Sequence, residues 1–184
     1  MRSPLIACAA LALAGACSTD PPPALLDAAA SDAPAAQCLI PASYGALGDK
    51  TGTADLTIAD SLTVVLDPGP PRDDLFVKLI AGQGAFAGGI KTGSFTIAGA
   101  DAAFTTCGLC VSLIADIVSG QGPSKFYFAD AGTITLTSAT PRSGSTPSQI
   151  AGTAQNLHFI EVDAGGAPVA GGCSSTLGSI GFSP

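Results

Sequence analysis

The sequence predicts an all-β fold, an antiparallel β-sandwich of Greek-key or jelly-roll type, with a closed β-barrel as the alternative. Three observations carry this. Beyond the first 36 residues, apolar side chains come in short runs bounded by Gly, Pro, Asp or Ser, which is the spacing of strands and turns. Several runs alternate: Ile134 and Leu136 stand between Thr133, Thr135 and Thr137, giving the one apolar and one wet face of an antiparallel sheet. Helix formers are scarce, with one Glu, four Lys and one Met in 184 residues, so no window develops an amphipathic helical face.

Residues 1–16 read as an export signal. Arg2 precedes an apolar run, Leu5 to Ala16, that is too short to span a bilayer. The following Leu13-Ala14-Gly15-Ala16-Cys17 resembles the lipobox of bacterial lipoproteins, in which the cysteine is acylated and becomes the new N-terminus. Ala14 stands where the commonest lipobox has Leu. Leu5-Ile6-Ala7-Cys8 fits letter for letter but leaves almost no apolar region ahead of the cut, so Cys17 is the expected lipidation site. The competing reading is an ordinary secretory signal with Cys17 as a stray thiol. Ser18, by the same resemblance, implies sorting to the outer membrane. From there to residue 36 the chain is Pro, Ala, Ser and Asp, with Leu25 and Leu26 as the only sizeable apolar groups. That composition cannot offset ordering entropy, which makes residues 17–36 a lipidated cysteine and tether.

Residues 37–184 are expected to form a single β-sandwich domain. With 14 acidic against 7 basic side chains and no basic cluster, nucleic acid and anionic membrane surfaces are disfavoured as partners. The expected strands are 54–58, 62–66, 75–81, 93–98, 102–106, 111–118, 125–129, 133–138, 149–153, 157–162 and 176–182. Turn-rich segments at 67–74 and 141–148 should be exposed loops. No fixed-period repeat argues for a solenoid or propeller.

The domain holds four cysteines, Cys38, Cys107, Cys110 and Cys173. An even number in an exported chain implies disulfides, with three possible connectivities. Pairing Cys38 with Cys173 would staple the ends of the domain and leave Cys107 and Cys110 to pair locally. Cys107-Gly108-Leu109-Cys110 also has the spacing of a thiol-disulfide exchange motif. That chemistry needs a helix after the first cysteine to lower its pKa, whereas Val111 to Val118 is β-branched and alternating. Zinc would require further ligands, and the only histidine is His158.

Gly82-Gln83-Gly84-Ala85-Phe86-Ala87 matches a dinucleotide-binding fingerprint, but Gly88, Gly89 and Gly93 interrupt the helix that must follow. No G-x-S-x-G, S-x-x-K or H-E-x-x-H motif is present. His158 and Glu161 are an odd number of residues apart and should face opposite sides of a strand. The acids Asp67, Asp73, Asp74, Asp101, Asp116, Asp130, Glu161 and Asp163 could converge on calcium or remain solvated turn residues.

Five segments together resemble a group of uncharacterised secreted lipoproteins from predatory soil bacteria. They are Gly84-Ala-Phe-Ala-Gly-Gly-Ile, Thr105-Thr-Cys-Gly-Leu-Cys-Val, the run from Tyr127 to Thr137, Asn156-Leu-His-Phe-Ile-Glu-Val-Asp, and the closing Gly172-Cys-Ser-Ser-Thr-Leu-Gly-Ser-Ile-Gly-Phe. The resemblance spans most of residues 84–184 and implies the compartment and the all-β fold, without an activity.

The expectation is therefore a monomeric, membrane-anchored lipoprotein outside the cytoplasm, facing the periplasm or the cell surface. It would act as a non-catalytic binding or structural module, use no cofactor, and take a protein or small-molecule ligand. The alternatives are a thiol-disulfide oxidoreductase using Cys107 and Cys110, and an acidic calcium-binding module.

Overall fold

The computed structural model describes residues 38, 40–55, 57–58 and 60–184. The expected export signal, the expected lipidation site Cys17 and the expected tether lie outside the described residues. Among the described residues nine strands follow in chain order: β1 (Ala46–Thr51), β2 (Thr53–Ala54), β3 (Ser61–Asp67), β4 (Arg72–Leu79), β5 (Gly93–Thr96), β6 (Leu109–Ile117), β7 (Lys125–Thr140), β8 (Gln149–Val162) and β9 (Ser174–Ser183). No α-helix occurs among the described residues, only short 3-10 turns at Gly84–Phe86 and Gly99–Ala102.

All strands belong to one sheet of order β1-β9-β8-β7-β6-β4-β3-β2, with β5 added beside β7. Every pairing is antiparallel except β1 with β9. β1 and β2 are one run divided by Gly52: its first part pairs with β9 and its second with β3. The first strand thus touches both ends of the strand order, and the sheet comes nearly closed into a barrel. Gly52 is needed at this switch, because a Cβ there would sit 2.8 Å from Leu62 Cγ and from the Thr63 carbonyl oxygen. Alternate residues of every long strand point inward, among them Val64, Val77, Leu113, Ile134, Phe159 and Leu177, into one continuous core. This is the burial pattern the alternation predicts.

Three differences from the sequence expectation have local causes. Residues 54–58 do not continue as a strand. Asp55 Oδ1 accepts the Thr57 amide at 2.6 Å and the Ile58 amide at 3.2 Å, turning the chain directly after Ala54. Residues 102–106 leave the 3-10 turn as an irregular loop rather than a strand, held by Thr106 Oγ1 donating to the Ala100 carbonyl at 2.9 Å. The gaps expected at 130–132 and 154–156 are not breaks at all. They lie opposite one another, where the β7–β8 register slips around Ala131, and both strands run on through paired irregularities. Gly132 (φ +125°) and Asn156 (φ +51°) take the left-handed backbone that the bend requires. At this bend β7 exchanges its neighbour, pairing with β6 through Lys125–Phe128 and with β5 through Thr133–Leu136.

Candidate functional site

The outer face of β4, β6, β7 and β8 carries more apolar surface than a solvated face needs. Strand register explains how it assembles. One cross-strand row joins Asp74, Ile114, Phe126 and Val162, and the next joins Phe76, Ser112, Phe128 and Ile160. Lys78 and Cys110 form a third. Because these residues alternate with the inward Leu75, Val77, Val111 and Leu113, the sheet itself dictates their shared face.

A cleft of about 460 Å³ runs over these rows. Its walls are Phe76, Ile114, Phe126 and Val162 from the strands, with Ile80, just past the end of β4, and Phe104 and Ile58 contributed by loops. Phe126 is 44 % exposed and Phe104 48 %, high values for large apolar side chains clustered on one face. Two charged residues line it, Lys78 and Asp163. They stand three inter-strand steps apart, from β4 to the end of β8, or about 14 Å across the sheet at ~4.8 Å per step. Asp163 is engaged with its own turn, where its Oδ1 accepts the Gly165 and Ala167 amides at 2.8 and 2.9 Å. Lys78 makes no ion pair or side-chain hydrogen bond among the described residues and lies between Phe76 and Ile80 on the outward side of β4.

The Phe104 wall is fixed from below. Phe104 meets Phe128 edge to face, with ring centroids 5.7 Å apart, and Phe128 packs with Cys107, Cys110 and Val162 into a small second cluster on the outer face. Asp101, 8 % exposed, ties the loop to the sheet. Its Oδ2 accepts the Ala85 amide at 2.9 Å, and its Oδ1 accepts those of Gly108 and Leu109 at 2.8 and 2.9 Å. A Cβ at Gly84 would collide with this carboxylate, and one at Gly108 with the Gln83 carbonyl. Gly84, part of the apparent nucleotide fingerprint, therefore serves close packing at a 3-10 turn, and no helix follows it.

The four cysteines among the described residues are disulfide-bonded. Cys38 joins Cys173 with Cα atoms 5.7 Å apart, and Cys107 joins Cys110 with Cα atoms 5.2 Å apart. The residues after Cys107 enter β6 rather than a helix, so no helix dipole acts on its sulfur. Cys107 is 1 % exposed, which denies an incoming thiolate its line of attack.

The acids fall into separate roles. Asp73, in an expected exposed loop, is buried. Its Oδ2 accepts the Tyr44 hydroxyl at 2.7 Å, and its Oδ1 accepts the Asp116 amide at 2.9 Å, filling the bulge where β6 gains a residue over β4. Burial, then the hydrogen bond to Asp73, pushes the Tyr44 phenol far above its ordinary range. Tyr127 is fully buried with no partner for its hydroxyl among the described residues; burial first, then the nearby Glu161, Asp116 and Asp73, raises its pKa as well. Asp74 is also buried and meets Arg72 at 2.8 Å. Its burial outweighs that attraction and lifts its pKa. Glu161 Oε2 accepts the Cys173 amide at 2.8 Å and meets Lys125 at 3.1 Å. Burial opposes its ionisation, but those two partners prevail and lower its pKa. His158 Nδ1 lies 2.6 Å from Asp130 Oδ1, a pair that alternation alone does not reveal because it forms across a bulge. No group of three metal-ligating side chains comes together among the described residues.

The cleft escaped the sequence reading because its residues come from four strands and the loops between them. The available signal was the apolar outward positions, Phe76, Ile114 and Phe126, in strands whose inward positions were already apolar. Comparison with protein-family models, with curated proteins and with solved structures yields no match.

Proposed function

We propose that this domain is a non-catalytic extracytoplasmic binding module, tethered to the membrane through lipidated Cys17, that holds an apolar ligand in the outer-face cleft. The observation that carries the reading is the cleft itself. Four strand residues, with Ile80 and Phe104 from loops, present apolar side chains to a concavity whose volume lies within the ~300–1,000 Å³ of small-molecule sites. The two disulfides suit an oxidising compartment, and the lipobox-like segment and the resemblance to secreted lipoproteins point the same way.

Two experiments test the two halves of the reading. Nile red, an uncharged apolar dye, should bind the full chain saturably, and Phe126→Asp should abolish binding without lowering the melting temperature, since Phe126 is largely outside the core. Dye binding that survives this change defeats the cleft assignment. For the anchor, the mature protein should carry acyl mass on Cys17, and Cys17→Ser should move it from the membrane to the soluble fraction; a cysteine of unmodified mass rules the anchor out.

A further inference from the structure

We infer that the cleft selects a single-chain anionic amphiphile, a long-chain carboxylate, with its head on the Lys78 ammonium and its alkyl chain running past Phe76, Ile114 and Phe126 towards Phe104. The inference rests on the cleft being a ligand site and adds the chemistry of its occupant. Lys78 is the one cation lining this cleft, in a chain of net charge −7, and among the described residues it has no carboxylate partner. Lysine keeps its stem on apolar surface and its ammonium at the boundary, so an ammonium beside Phe76 and Ile80 offers an anion a contact that water screens only in part. The one carboxylate in the lining, Asp163, stands at the far end of the cleft and accepts two backbone amides there. The site is thus polarised, positive at one end and apolar along its length.

Size limits the occupant further. About 460 Å³ lies toward the small end of ligand pockets, which suits one alkyl chain rather than the two of a bilayer phospholipid. Ser112, midway along the floor, is the only neutral polar side chain of the lining apart from Tyr127, whose hydroxyl is buried. The chain therefore meets few polar groups it would leave unsatisfied.

Calorimetric titration of the full chain with dodecanoate, 1-dodecanol and dodecylammonium, each below its aggregation concentration, separates head from chain. Dodecanoate should bind most tightly and dodecylammonium most weakly. Decanoate should bind about tenfold more weakly than dodecanoate, the effect of two methylenes. Lys78→Gln should bring dodecanoate to the affinity of dodecanol while leaving dodecanol unchanged, and Lys78→Glu should reverse the preference in favour of dodecylammonium. Equal binding of all three heads, or an unaltered dodecanoate affinity in Lys78→Gln, overturns the assignment of Lys78 while leaving the apolar site intact. Failure of every alkyl probe together with Nile red overturns the site itself. Nile red binding with no alkyl probe bound overturns the single-chain occupant alone.

Discussion

Individual side chains do their work here chiefly by accepting backbone amides. Asp101 satisfies three amides across a loop, a turn and a strand, so Asp101→Ala should destabilise the domain by ~2–4 kcal/mol through unsatisfied buried donors. Chemical denaturation would check this, and a loss within experimental error would show that the loop is held by packing alone. Asp74 gives a second test, with a pH signature. Its folded pKa is raised above the unfolded value by burial, so it favours folding below the unfolded pKa and its contribution is lost as pH rises through the folded pKa. Arg72 offsets that loss at neutral pH. Arg72→Ala should therefore cost ~1 kcal/mol at pH 7, discounted because the guanidinium is half-exposed, and much less below the unfolded carboxylate range. An equal cost at both pH values would place the role of Arg72 in packing instead. None of these roles was legible in the sequence, where an Asp in or beside a turn-rich stretch reads as a solvated turn residue until the fold brings its partners to it.

Among the secondary-structure elements, alternation located the β3, β4, β6 and β9 cores because each has one buried face that fixes its register. It split β7 and β8 in two because Gly132 and Asn156 look like turn residues; the pairing between the strands turns both into a bend. It missed β1, whose sequence Ala-Leu-Gly-Asp-Lys-Thr has few apolar groups, because that strand is held by pairing on β9 rather than by burial. The cysteine pairs differ in the same way. Removing Cys38 and Cys173 by paired Ala substitution should cost several kcal/mol, since the chain-entropy model gives close to 5 kcal/mol as an upper value for so long a loop. Removing Cys107 and Cys110 should cost less, because their loop closes at little entropic expense. Melting curves that rank the two double variants in the opposite order would mean that the local bridge, through its packing on Phe128, holds the outer cluster together.

For the molecule as a whole, the fold class was written in the apolar periodicity, while the manner of closure was not. It depends on Gly52 letting one strand serve two neighbours. The site is further still from the sequence, since the cleft exists only once β4, β6, β7 and β8 lie side by side and the Phe104 loop has folded against Phe128. The central claim is that this outer face is where a ligand sits. The most direct measurement is to assign the backbone amides by NMR and titrate the full chain with Nile red. Shift changes should centre on Phe76, Ser112, Ile114 and Phe126 and leave the β9 amides and the His158–Asp130 surface in place. Saturable shifts centred elsewhere, or none in these four residues at saturating dye, would contradict that claim.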